Sequence, residues 1–192
     1  MNENWQTLVE LVSASKTVAV EGNFGAGKST LVRRIAEATK VTLAPEFDLP
    51  TRLFEHPQSG QAIYPLQDVL RMAAVPRLPG RPNLVERYAV SAIGHQFAAG
   101  TRFGDDVTQV YRRLMVRGVL PMPDLTIVVL RPWADCISVL EQRRWSYDAN
   151  YIEQIDGYLR EFKLPLDLTG QVLRVEQAAT GAAFDLMEGP QS

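Results

Sequence analysis

Nine consecutive residues, Gly22-Asn23-Phe24-Gly25-Ala26-Gly27-Lys28-Ser29-Thr30, match the spacing G-x-x-x-x-G-K-[ST] at every fixed position. The composition of this run is explained by one kind of chemistry. A loop that wraps a phosphate must aim several backbone N–H groups inward, which calls for glycines tolerant of unusual dihedrals. A helix that follows presents its positive N-terminal end to the same anion. Lys28 then brings a point charge to the β- and γ-phosphates, and the Ser29 hydroxyl is a ligand for Mg²⁺. ATP and Mg²⁺ are the expected ligands of Gly22 through Thr30.

Further groups able to do chemistry follow short apolar runs. Glu46 stands in Ala44-Pro45-Glu46, and a carboxylate within hydrogen-bond reach of a hydroxyl acts as a general base. Gln67 lies in Leu66-Gln67-Asp68, and its amide offers a donor and an acceptor side by side, as one edge of a nucleobase requires. Glu86 and Arg87 close Leu84-Val85-Glu86-Arg87-Tyr88, and Arg143 and Arg144 stand in Gln142-Arg143-Arg144-Trp145. Guanidinium groups neutralise charge on a transferred phosphoryl group. Each also has a plainer reading: a solvated loop acid for Glu46, a helix-surface residue for Gln67, an ion pair for Glu86 and Arg87, and complements to a helix dipole for the two arginines.

Taken together, and in this order, these segments resemble the deoxynucleoside kinase and thymidylate kinase superfamily over most of the chain. Val20-Glu21-Gly22-Asn23 is similar to the opening of the deoxynucleoside kinase phosphate loop. The resemblance implies that Glu46 takes the proton of the substrate hydroxyl and that Gln67 reads the base. It further implies that Glu86 lies near magnesium beside Ser29, that Arg87 steadies the reacting oxygen, and that Arg143 and Arg144 belong to a lid over ATP around 141–150. Leu130-Arg131-Pro132-Trp133-Ala134-Asp135-Cys136 resembles the strand-to-helix junction ahead of that lid.

Two departures bear on the acceptor. The lid lacks the family's Arg-Gly-Arg followed by paired acids, leaving Asp148 as a substitute for the acid that holds the sugar. Glu86–Gln96 and Pro123-Asp124-Leu125-Thr126 lean toward thymidylate kinases, yet Leu43–Asp48 contains no arginine to grip an acceptor phosphate, Arg52 being the nearest. The expected acceptor is therefore the 5′-hydroxyl of a (deoxy)nucleoside. A nucleoside monophosphate, a hydroxymethylated base in DNA and a non-catalytic ATP-binding regulatory module remain the alternatives.

The elements that position these residues are legible from periodicity. Apolar runs at Thr17–Glu21, Val41–Ala44, Asn83–Glu86, Leu125–Leu130 and Gln171–Val175 read as strands buried on both faces. Helical stripes at Ser29–Thr39 and Tyr151–Phe162 lie between or beside them. This alternation predicts an α/β, doubly wound, mainly parallel five-stranded sheet with helices on both faces, within a single domain spanning 1–192. Ligands in such sheets sit beyond the carboxyl ends of the strands, where the candidate residues stand. Pro76–Pro82 must be a loop, and Gly189–Ser192 is expected to fray.

The remaining residues narrow the class. The chain has 192 residues with 20 basic and 22 acidic side chains, a net charge of −2 that argues against nucleic acid as a partner. Cys136 is the single cysteine and reads as core, consistent with a cytoplasmic protein. Met1–Leu11 lacks the pattern of a signal peptide, and the longest apolar run is far too short for a membrane. His56 and His95 show no metal-ligand spacing, and His95 reads as structural beside Ile93 and Phe97. The three tryptophans form no stacking stripe with basic residues. Leu8, Val9, Leu11 and Val12 form an apolar face expected to pack on the sheet, with a homodimer as the lesser alternative.

Overall fold

The computed structural model of the chain describes residues 3–46, 56–76, 78–161, 165–177 and 184–187. The elements run in order as helix α1 (Glu3–Ala14), strand β1 (Thr17–Gly22), helix α2 (Lys28–Ala38), strand β2 (Thr42–Leu43), helix α3 (Pro57–Ala74) and strand β3 (Asn83–Glu86). Helices α4 (Ala89–Ala99) and α5 (Thr101–Val116) follow, then strand β4 (Leu125–Leu130), helices α6 (Trp133–Gln142) and α7 (Ala149–Arg160), and strands β5 (Gln171–Gln177) and β6 (Phe184–Met187).

The strands form one sheet in the order β2-β3-β1-β4-β5-β6. The first five are parallel, and β6 runs antiparallel to β5 at the edge. The central pair shows why the apolar runs carried no alternation. Every residue of β1 and of β4 is buried, because both faces of the sheet are covered. Val18 and Val20 with Leu125, Ile127 and Val129 pack under α1, α2 and α6, through Leu8, Val12, Leu31, Ile35, Cys136 and Leu140. Ala19 with Val128 and Leu130 faces Val90, Ile93, Val107, Tyr111, Ile155 and Leu159 of α4, α5 and α7. The doubly wound expectation holds, as does the packing of α1 against the sheet through Leu8 and Val12.

Two strands differ from expectation. β6 escaped notice because Phe-Asp-Leu-Met is short, carries an acid and is an edge strand with one partner. β2 contracts to Thr42–Leu43 because it too is an edge, with Leu43 half exposed. Its ladder still extends to the Ala44 amide, which donates to the Leu84 carbonyl at 2.9 Å and so fixes the chain just before Glu46. No helix among the described residues is long and apolar enough to cross a membrane. Arg52, Phe162 and Gly189–Ser192 lie outside the described residues.

The switch in strand order falls between β1 and its neighbours β3 and β4, and a crevice opens beyond their carboxyl ends. Glu21, the penultimate residue of β1, is wholly buried there. Its carboxylate accepts from the amides of Tyr88 at 3.0 Å, Val90 at 3.1 Å and Ser91 at 3.0 Å, and from the Ser91 hydroxyl. A negative charge at the start of α4 satisfies amides that have no partner within the helix and complements its dipole. Glu21 thereby welds the root of the glycine loop to the segment that follows Glu86 and Arg87.

Candidate active site

The loop between β1 and α2 adopts the conformation its glycines permit. Gly25 and Gly27 have φ of 70° and 96°, and Gly22 has φ of 148°. A Cβ on Gly22 would lie 2.6 Å from the Val129 carbonyl oxygen, and one on Gly25 would lie 2.7 Å from that of Cys136. The loop is thus pressed against the ends of β4 and α6, with no room for side chains at these positions. Asn23 supports it from inside: its amide donates to the Ile152 carbonyl at 2.7 Å and accepts from the Phe24 N–H at 2.8 Å.

Lys28 is buried, and its Nζ donates to the Asn23 carbonyl at 2.6 Å. Burial, reinforced by the nearby Arg87 guanidinium, pulls its pKa down to about 7. A cation held in so dehydrated a place is poised for an anion that would restore its charge. The adjacent Ser29 hydroxyl donates to Glu86 Oε1 at 2.8 Å. The glycine cradle, Lys28 and the paired oxygens of Ser29 and Glu86 suit a nucleotide triphosphate with a hard divalent cation.

Beside the loop lies a cleft of about 210 Å³ lined by Phe24, Glu46, Gln67, Glu86, Arg87 and His95, with Tyr64, Asp68, Arg71, Tyr88, Ser91 and Ala92 completing the wall. Glu46, Gln67, Glu86 and Arg87 come from three separate stretches, and the fold brings them together. Arg87 has a left-handed φ of 56°, uncommon for a side chain of its size. Its guanidinium stands 4.8 Å above the Phe24 ring of the phosphate loop, and its amide is held by the Val20 carbonyl at 2.9 Å.

Arg71 accounts for much of this geometry. It is 4% exposed on α3, and its Nε donates to the Pro45 carbonyl at 2.8 Å. Nη1 reaches the Arg87 carbonyl at 2.6 Å and Asp68 Oδ1 at 3.0 Å, while Nη2 reaches the Glu86 carbonyl at 2.7 Å. One guanidinium therefore joins the segment bearing Glu46 to the segment bearing Glu86 and Arg87. Asp68 Oδ2 accepts from the Tyr111 hydroxyl at 2.6 Å. Burial pushes Asp68 up to about 7, against the opposing pull of Tyr111 and Arg71.

Several expectations are refined. Arg143 and Arg144 are exposed after α6 and are not among the cleft's lining residues, Arg143 lying 5.4 Å over the Trp145 ring. Asp148 is the N-cap of α7, its Oδ1 accepting from the Asn150 and Tyr151 amides. His56 likewise caps α3 by accepting from the Gln58 amide. Cys136 is core, as expected. His95, read as structural, is buried and within hydrogen-bond distance of Tyr151, and it also lines the cleft, between Tyr64 at 6.1 Å and Tyr151 at 5.8 Å in stacked orientation. Arg71, Asp68 and His95 are the site residues that sequence reasoning missed. The signal for His95 was its place one helical turn past Ser91, on the face of α4 whose first turn Glu21 anchors.

No family model matches the chain, and no curated protein does. Among solved structures, deoxyadenosine kinase from M. mycoides with bound dATP aligns with a TM-score of 0.59 at 15% identity, covering 86% of this chain and 91% of that one. A structure of deoxyadenosine kinase from M. mycoides with the products dCMP and a flexible dCDP gives a TM-score of 0.56 at 18% identity, covering 85% and 91%. The chain has the P-loop kinase fold, in the arrangement of deoxyadenosine kinase.

Proposed function

We propose that this chain is an ATP- and magnesium-dependent kinase that phosphorylates the 5′-hydroxyl of a (deoxy)nucleoside. The observation that carries the reading is the single cleft shared by Glu46, Glu86, Arg87 and the phosphate-loop residue Phe24. A general base, a magnesium ligand and a guanidinium at the mouth of a phosphate loop are the parts that phosphoryl transfer needs.

In this reading the loop amides of 22–30 and Lys28 hold the phosphates of ATP. Ser29 and Glu86 would hold magnesium, which neutralises charge on the phosphate oxygens when bound. Glu46 accepts the hydroxyl proton as the substrate oxygen forms its bond to the γ-phosphorus. The bond from that phosphorus to the β–γ bridging oxygen breaks, and its electron pair leaves on ADP. Arg87 donates hydrogen bonds to the reacting oxygen, and Arg143 and Arg144 close over the phosphoryl group. Gln67 reads the base. The work is positioning and charge neutralisation.

A neutral acceptor is favoured over a monophosphate by the state of Arg71. All three of its nitrogens are already bonded within the protein, so the cleft's described lining offers Arg87 alone as a guanidinium fork. The test is ATP consumption with Mg²⁺ across nucleosides and their monophosphates, products being identified by mass. A nucleoside gaining one phosphate supports the reading. Turnover of monophosphates alone would replace the acceptor, and ATP binding without any turnover would favour a regulatory module. Glu46→Gln should lower kcat roughly 100-fold or more with ATP affinity unchanged; unaltered turnover would remove Glu46 from the base role.

A further inference from the structure

The hydrogen bonds around His95 bear on which of its ring nitrogens carries the proton. The Tyr151 hydroxyl donates its single proton to the His95 backbone carbonyl at 3.2 Å. The same hydroxyl oxygen lies 3.0 Å from His95 Nδ1. The carbonyl can only accept, and in the arrangement that satisfies both contacts Tyr151 accepts from Nδ1, which puts the hydrogen of the ring on Nδ1. Nε2 then carries a lone pair, and no partner for it occurs among the described residues. Residue burial is high, 7% exposed, yet the ring forms part of the cleft wall. Deep burial with Arg87 and Lys28 nearby draws the pKa of the ring down to about 3, so it stays neutral throughout the physiological range.

We infer that His95 is a specificity-determining residue of the acceptor cleft, with Nε2 serving as a fixed hydrogen-bond acceptor for an N–H or O–H donor of the nucleoside. The inference rests on the nucleoside kinase reading above. An acceptor-only nitrogen that the bound substrate covers from water rejects a substrate that presents no donor, because the covered polar atom is then left unmatched. Three kinds of donor on a nucleoside satisfy this chemistry: an exocyclic amine of the base, a ring N–H of the base and a hydroxyl of the sugar. The neighbouring Tyr64, Phe24 and Tyr151 rings leave the acceptor as a polar point within aromatic surroundings, which orients a flat ligand.

The tautomer is tested first, on the whole chain without substrate, by the ¹⁵N chemical shifts of the His95 ring. The expected spectrum has a protonated Nδ1 and an unprotonated Nε2 that persist from pH 5 to pH 8. A protonated Nε2 overturns the inference, whatever the activity. The second arm uses the nucleoside that the wild-type enzyme turns over fastest, with analogues each lacking one donor: the base amine, the ring N–H of the base or one sugar hydroxyl. His95→Phe keeps an aromatic ring and removes the acceptor. It should lower kcat/KM for the parent nucleoside about 10-fold to 100-fold, while leaving unchanged the value for the one analogue without the matching donor. His95→Gln returns an acceptor at a similar reach and should restore most of the loss, and ATP affinity should stay constant in both variants. Equal losses on the parent and every analogue would assign His95 to packing and overturn the inference. If the wild type phosphorylates no nucleoside, the functional reading falls and the inference falls with it; a correct tautomer with failed discrimination sinks the inference alone.

Discussion

Replacing Arg71 by methionine keeps the aliphatic stem and deletes the guanidinium that ties the cleft together. The change leaves the carbonyls of Pro45, Glu86 and Arg87 without this donor, and leaves Asp68 buried with the Tyr111 hydroxyl still bonded to it. Breaking a buried pair from one side costs about 3–5 kcal/mol. For a chain of this size each kcal/mol lowers Tm by roughly 2–4 °C, so the expected fall is roughly 6–20 °C. The loss has a sign in pH. Asp68 is held at about 7 in the folded chain, above the ordinary carboxylate value of 3.8. Between those values the folded chain retains a proton that the unfolded chain has released, so this group makes stability fall as pH rises through the window. Without Arg71 the folded value climbs further, and the fall continues above pH 7. The gap in unfolding free energy between wild type and Arg71→Met should therefore be wider at pH 8 than at pH 6. Adding Asp68→Asn removes the stranded charge and should recover part of the stability. Turnover should drop about 100-fold in Arg71→Met, since Glu46, Glu86 and Arg87 lose their common anchor. Arg71→Lys should recover little, because an ammonium has no planar fork to span three carbonyls. Urea titrations at both pH values decide the matter; a Tm within about 2 °C of wild type, or a gap that is flat with pH, refutes the reasoning.

Glu21→Gln keeps the shape and removes the charge that receives three amides at the start of α4, and chemical denaturation should register a loss of about 2–3 kcal/mol. Gly27→Ala puts a Cβ 1.6 Å from Gln177 Oε1 at a φ of 96°, and nucleotide affinity measured by calorimetry should weaken at least ~10-fold. Shortening the obstacle in a Gly27→Ala, Gln177→Ala pair should relieve the clash and leave the backbone strain, so recovery should be partial. Arg143→Ala and Arg144→Ala remove exposed side chains, so stability should stay within about 0.5 kcal/mol of wild type while kcat falls by roughly 10³ if the lid reading is sound. Full activity in both arginine variants would discard that reading.

The central sheet was legible because its signal is local. The runs at 17–21, 83–86 and 125–130 are apolar on both faces, and only a strand covered on two sides needs that. The glycine loop was legible because its residue types follow from backbone conformation. Gly25 and Gly27 have the positive φ expected of them. Asp68 and Arg71 were illegible for the opposite reason. An acid and a base three apart on a helix look like any surface pair, and their burial is decided by Pro45, Glu86 and Arg87 arriving from elsewhere. The bond between His95 and Tyr151 spans 56 positions, so neither residue announces the other. The cap role of Asp148 was legible in principle, since it stands immediately before a helical stripe, but a cap and a sugar ligand use the same carboxylate and the residue type does not tell them apart.

The cleft has two walls, and each is organised by polar groups that themselves need not touch a reacting atom. On one wall Arg71 collects the ends of β2 and β3, and with them Glu46, Glu86 and Arg87. On the other, the first turn of α7 gathers three attachments within five residues: Asp148 caps it, Tyr151 holds His95, and the Ile152 carbonyl receives the phosphate-loop residue Asn23. The exposed Arg143 and Arg144 stand in the segment between α6 and that turn. A rotation of α7 would therefore be felt both by the glycine loop, through Asn23, and by the opposite cleft wall, through His95. Packed side chains pass such a rotation on, because they shift between discrete arrangements and do not deform smoothly. Perturbing the Arg71 wall should act on turnover; on the other wall, perturbing His95 should act on discrimination, and perturbing the Asn23 tie to Ile152 on nucleotide affinity. That division follows from which groups each hub holds.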